Sequence, residues 1–231
     1  MTDENSREAA QRAMKEGGTL LETGDDEQAL KPLRRAGDIY RQLGDRKSQA
    51  EVLNLEANVL ARMGRADEAV ATFSIVIDLL NEKPSSRTRA MAWGNQGVVL
   101  ARQKRFQDAL DCFQQALALF QQIDEPIWIA EQWGNLGTVY RDLDEPDRAL
   151  GHYEKALAIY KRLDNKERIG DQLTNIAYAF SMLQNSKGAL RWYREGLAYY
   201  TAARCESKIS SIQENIEALE SRLGINRPCN C

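Results

Sequence analysis

At 231 residues the chain can hold one sizeable domain or two small ones, and 43% hydrophobic against 28% charged residues is the balance of a folded chain, not a disordered one. A net charge of −3 supplies no basic face to displace counterions from a phosphate backbone, which argues against nucleic-acid binding. The opening MTDENSREAAQRAMKEG lacks the basic-then-apolar pattern of a secretory signal, and no run reaches the apolar length of a membrane span, so a cytoplasmic location without membrane insertion is expected.

Taken in chain order, the sequence repeats itself in constant steps, each equal to the interval from Trp93 to Trp133 (133 − 93 = 40). A small residue recurs at Gly17, Ala57, Gly97, Gly137 and Ala177, with a large one three positions on at Leu20, Leu60, Leu100, Tyr140 and Phe180. Further along each copy comes an alanine (Ala29, Ala69, Ala109, Ala149, Ala189) and, four residues later on the same helical face, Leu33, Phe73, Phe113, Tyr153 or Tyr193. Small residues let paired helices approach to about 8–10 Å. The aromatics are expected to fill the groove between one hairpin and the next, each contributing about 1.5–3 kcal/mol when buried. Five repeats result, at about 13–52, 53–92, 93–132, 133–172 and 173–212.

Breaks fall where helix stops and starts are expected. Within hairpins these are Thr23–Asp26, Met63–Arg65, Leu143–Pro146 and Gln184–Ser186; longer links between hairpins are expected at Gly44-Asp45, Lys83–Ser86, Asp124–Pro126 and Asp164-Asn165. Pro32 falls inside a helix and should bend it near its start. At the end, Ile209, Ile212, Ile216, Leu219 and Leu223 form the apolar stripe of one more helix, about 206–223, as a solubilising cap or a homo-oligomer face. Residues 224–231 follow as a flexible tail carrying Cys229 and Cys231, whose Cys-x-Cys ending resembles a double prenylation signal but reads better as an oxidisable thiol pair. Cys112 and Cys205 lie far apart and form no disulfide framework.

The clearest copy reads Trp133-x2-Leu136-Gly137-x2-Tyr140, then Ala149-x3-Tyr153 and Ala156. This resembles the tetratricopeptide repeat, a helix–turn–helix unit, and the period of 40 resembles its Leu-Gly-Asn subtype, of which kinesin light chain is a cousin. The resemblance implies an all-α fold: a right-handed α-solenoid of five helical hairpins plus a C-terminal capping helix, one elongated domain over 1–223. It also implies a concave groove that binds partner proteins.

No catalytic residue, metal-ligand set or cofactor is expected. The single histidine, His152, shares its column with Pro32, Thr72, Cys112 and Trp192, which reads as a surface column. There is no P-loop and no dinucleotide fingerprint. The informative column is Asn95, Asn135, Asn175 and Asn215. Asparagine costs up to about 0.7 kcal/mol against alanine in a helix, so its recurrence asks for a reason. A carboxamide both donates and accepts, and so matches the backbone of an extended peptide whatever its side chains. The resemblance implies that this position faces the groove; the alternative is that the amides bond within their own stack.

The same register adds Asn58, Val98, Thr138 and Tyr178 one turn on, then Arg62, Arg102 and Arg141, with Glu51, Glu131 and Asp171 at the other end of those helices. The lysine–asparagine clamp by which some family members grip a C-terminal carboxylate is not matched, since its slots hold Met14, Asn54, Gly94 and Gly134. Trp93 and Trp133 occupy the motif's packing position, whereas Trp128 and Trp192 are unmatched in their columns and are candidate contact residues. The expected function is a non-enzymatic adaptor holding a peptide or helix of a partner protein. A self-assembling scaffold is the second reading. A peptide-sensing regulatory module, as in bacterial regulators with similar repeats, is the third.

Overall fold

A three-residue turn recurs through the molecule and sets its geometry. At positions 24, 44 and 64, and again at every twentieth residue from 104 to 224, the middle residue of the turn has φ between 49° and 84°. The residue after it donates its N–H to a carbonyl five positions back, as Asp25 does to Leu20, Asp45 to Tyr40, Arg65 to Leu60 and Glu145 to Tyr140. This is the Schellman closure, which satisfies carbonyls that a helix end would otherwise leave bare. Glycine supplies the left-handed residue at Gly24, Gly44, Gly64 and Gly224; elsewhere Lys104, Asp124, Asp144, Asp164, Gln184 and Arg204 adopt it.

The computed structural model describes residues 3–82 and 86–225. Eleven helices lie in them, with no strand: α1 (Asp3–Glu22), α2 (Asp26–Gln42), α3 (Arg46–Arg62), α4 (Ala66–Leu79), α5 (Arg87–Arg102), α6 (Phe106–Gln122), α7 (Pro126–Asp142), α8 (Pro146–Arg162), α9 (Lys166–Met182), α10 (Ser186–Ala203) and α11 (Glu206–Leu223). Most are 17 residues long, and each, with its turn, makes half of one sequence repeat. Most links between hairpins are therefore no longer than the turns within them, contrary to the sequence expectation, as Leu43–Asp45 matches Met63–Arg65; the link from α4 to α5, residues 80–86, is the longer one expected. Pro126 and Pro146 take the first helical position, and Asp45, Ser86, Asn165 and Asn185 cap the following helix through their side chains. Pro32 is buried inside α2, which runs on through it. No helix among the described residues is long and apolar enough to cross a membrane. Cys229 and Cys231 lie outside the described residues.

The chain divides into two compact units, one up to Asp124 (α1–α6) and one from Glu125 (α7–α11). In both, helices pair as hairpins through the predicted columns. All five column alanines, from Ala29 to Ala189, are fully buried. The aromatic column packs differently from expectation where its small partner is glycine: Phe113 and Tyr153 each seat on the small residue of their own hairpin. A Cβ on Gly137 would come within 2.6 Å of the Tyr153 ring, and one on Gly97 within 2.7 Å of Phe113. Successive hairpins instead meet through residues such as Val52 against Gly37 and Ile212 against Gly196. Helix α11 turns Ile212, Ile216 and Leu219 inward and presents no large apolar side chain outward, the pattern of a cap.

The histidine column also departs from expectation. Pro32 and Cys112 are buried, and Thr72, His152 and Trp192 are half-buried, so it is an inward column. It tolerates varied residues because each packs on a local partner. His152 stacks on Tyr140 with centroids 5.0 Å apart and tilts against Trp133 at 5.4 Å. Lys155 also packs on the Trp133 ring, 4.2 Å from its centroid. Trp192 covers Phe180 at 6.4 Å. Burial, helped by Lys155 and Arg148, holds the His152 imidazole below its ordinary pKa.

Two outcomes follow from this packing. Ala149→Asp should place a lone charge in a helix contact and cost about 3–5 kcal/mol, roughly 2–4 °C of Tm per kcal/mol in a chain of this size. Gly151→Asp, where a Cβ meets open space, serves as the control in thermal melts; equal losses in the two would refute the register. For His152, the unfolded chain takes up a proton first as pH falls through about 6.5, so stability should decline from there until the folded imidazole protonates as well. Melting wild type and His152→Phe between about pH 7.5 and 5 should show wild type losing more, and parallel curves would contradict it.

Candidate functional site

In the first unit, α1, α3 and α5 lie side by side and form a groove of about 330 Å³. Its floor is apolar, from Leu21, Leu55 and Val98, and five of the predicted site residues gather there: Asn58, Arg62, Asn95, Val98 and Arg102. The Asn95 amide donates to the Asn58 carboxamide oxygen at 2.9 Å, so this member of the column bonds within the stack. Arg62 pairs with Asp26 across to α2. Arg102 is exposed and makes no ion pair among the described residues. The result is an apolar trough with a basic rim.

In the second unit a more polar notch of about 300 Å³ opens on α7 and α9, with the phenol ends of Tyr160 and Tyr200 reaching in from α8 and α10. Asn135, Thr138 and Asn175 line it, together with Glu131, Gly134, Arg168, Asp171, Gln172 and Thr174. Neither Asn135 nor Asn175 has a side-chain hydrogen bond among the described residues, in contrast to Asn95. Thr138 donates to the Gly134 carbonyl at 3.0 Å, a bond within its own helix. At the next turn Arg141 lies over Tyr178, 5.4 Å from its centroid, and pairs with Asp142 at 2.8 Å. Tyr178 is 50% exposed, an aromatic offered to solvent beside a cation. Asn215, the fourth asparagine of the column, is exposed on α11 and lines neither groove.

Electrostatics distinguish the notch. Asp171 accepts from Tyr200 at 2.8 Å and from Lys208 at 2.7 Å, and Lys208 also reaches Glu167 at 2.8 Å. Burial works against the charge of Lys208, yet those two carboxylates hold it above its ordinary pKa. Burial pushes the Tyr160 phenol up to about 12 and raises Tyr200 as well, so both stay neutral donors. Glu131 is raised by burial, with Arg168 opposing.

Several lining residues were not singled out from the sequence. Tyr160 and Tyr200 fall in a column with Tyr40, Leu80 and Phe120 that reads as core, and their rings are core; only the hydroxyls reach the notch. Gln172 carried a signal, since its column otherwise holds Val52, Ala92, Gln132 and Ile212. The two unmatched tryptophans, Trp128 and Trp192, are half-buried and line neither groove. Of the carboxylate-clamp slots, Asn54, Gly94 and Gly134 are buried.

The family model for the tetratricopeptide repeat matches residues 48–122 and 128–202. Among curated proteins nothing matches the sequence. Solved structures do. BtubC (BKLC) from P. vanneervenii is 18% identical with a TM-score of 0.66, over 88% of this chain and 93% of that one. A putative kinesin light chain from Podosopora anserina with nearly identical TPR-like repeats gives 14% and 0.70, over 84% and 95%. The apo form of RapI gives 18% and 0.78, covering 90% of this chain and 57% of its own. At these identities the likeness is one of fold. With the family model matching more than half of its residues, the chain belongs to the tetratricopeptide-repeat family, whose members generally serve as non-catalytic protein–protein interaction scaffolds.

Proposed function

We propose that the chain is an adaptor that binds an extended segment of a partner protein along the exposed faces of its first helices. The observation that carries this is the pair Asn135 and Asn175: two amides at one helical position, open to the same notch, with no partner of their own among the described residues. An extended backbone offers one donor and one acceptor per residue, and a carboxamide can meet both. Asn95, tied to Asn58, keeps its own oxygen free to accept a further bond. The apolar floor and basic rim of the first unit suit a segment with an apolar side chain followed by an acidic one. Tyr178 beside Arg141 has the composition of an interface anchor, because tyrosine and arginine dominate the energetics of such contacts.

The test is selection of a displayed library of random linear peptides on the full chain. Peptides enriched on wild type should bind the Asn135→Ala, Asn175→Ala double variant about 1–3 kcal/mol more weakly, with Tm nearly unchanged because both side chains lie outside the core. Equal affinity for the double variant would remove the amide pair from the binding surface.

A further inference from the structure

The notch of the second unit holds one carboxylate more than its own cations neutralise. Two cations serve the neighbourhood: Lys208 is shared by Glu167 and Asp171, and Arg168 stands 3.6 Å from the second oxygen of Asp171. Glu131 is the third carboxylate, and it has neither an ion pair within 4.0 Å nor a hydrogen bond among the described residues. It is half-buried on α7, in the wall of the notch, where solvent offsets its charge poorly.

A second observation points the same way. Gln172 is only 6% exposed, and its side-chain oxygen is buried without any hydrogen-bond partner. Gln172 is among the residues lining the notch, and a Cβ on Gly134 would stand 3.4 Å from both its amide nitrogen and its amide oxygen. A buried acceptor with no donor is costly to a folded protein and calls for an explanation in the molecule's chemistry. Asn135 and Asn175 add two more side-chain oxygens at the same opening. Acceptors and one unmatched negative charge therefore converge, while of the donors there Tyr200 and Lys208 are already engaged with Asp171, which leaves the Tyr160 hydroxyl as the one neutral phenol not so engaged.

We infer that this notch receives the guanidinium of an arginine side chain from the bound segment, paired to Glu131 and hydrogen-bonded by the amide oxygens around it. A guanidinium is planar and carries five N–H donors, which suits a carboxylate flanked by several neutral acceptors better than the compact ammonium of lysine does. The inference rests on the peptide-binding reading above and adds the residue that the second unit selects.

Peptide libraries fixed at one central position and random elsewhere test it on the full chain, with arginine, lysine, citrulline or glutamate at the fixed site. Citrulline keeps the shape of arginine and removes its charge. The arginine library should bind on the order of tenfold tighter than the citrulline one, with lysine between them and glutamate weakest. In Glu131→Gln the arginine-to-citrulline ratio should fall to near one; Gln has nearly the same shape and removes an unmatched charge, so the fold is kept, and a thermal melt checks this. Equal binding of arginine and citrulline by wild type overturns the inference while leaving peptide binding intact. An arginine preference that survives in Glu131→Gln also overturns it, because arginine is then read elsewhere. If no library binds at all, both the inference and the reading beneath it fall.

Discussion

The structure depends on one left-handed residue recurring in steps of twenty, at 24, 44 and 64 and again from 104 to 224. It stops the preceding helix and closes the end through a hydrogen bond from the following N–H. With the same turn joining consecutive helices everywhere but between α4 and α5, the helices reverse at a near-constant interval. The residues brought opposite one another are then those at constant sequence offsets, which is why columns spaced by one repeat become contacts. Six of the described turns use a non-glycine residue in this conformation, at about 1–2 kcal/mol each. They persist because the Schellman bond and the flanking packing fix the turn more firmly than local preference opposes it.

From that constraint the hairpin contact follows. Gly97 and Gly137 lie so close to the rings of Phe113 and Tyr153 that even a methyl group would force a shift, whereas Ala57 and Ala177 stand at the same position in other repeats. The helices of those two pairs are thus set by ring against backbone, and the first helices of neighbouring hairpins are left side by side with one face uncovered. In the first unit that face is apolar with a basic rim; in the second it is polar and carries an unmatched carboxylate. One architecture yields two surfaces of different chemistry because the uncovered positions play no part in closing the hairpin.

Much of this was legible in the sequence. Exact repetition of Ala29 through Ala189 marks small-residue positions of the helix contact, and all are buried. Turns with Gly, Asn, Asp or Pro were readable, but the one at Gln103–Arg105 was not, since Lys104 gives no local signal and is forced left-handed by its surroundings. The halving of the period was hidden for the same reason: the backbone repeats with every helix, while the side chains repeat only with every hairpin. The His152 column misled because variety resembles exposure. Pro32, Thr72, Cys112, His152 and Trp192 share no chemistry, yet each is accommodated by whatever faces it, as Tyr140 and Trp133 face His152. Of the candidate site, the asparagine column located both grooves, while the asymmetry between them was invisible. Whether an amide is free depends on its neighbour across the groove: Asn58 occupies Asn95, and Thr138 at the matching position of a later repeat bonds its own helix.

That contrast shows where selectivity can reside in a repeating protein. A side chain that closes a hairpin has to recur, because its partner recurs in the next hairpin. A residue on the uncovered face meets no such demand, so a departure from its column changes the surface without disturbing the stack. Gln172, like Gln132 polar where Val52, Ala92 and Ile212 are apolar, lies at the edge between these two regimes. It is buried as the column requires and lines the notch, and its side-chain oxygen finds no donor among the described residues. A core position that accepts an unsatisfied oxygen gives up stability that an apolar residue would have kept. Beside Glu131, the unmatched carboxylate, that loss is what the inferred guanidinium would offset.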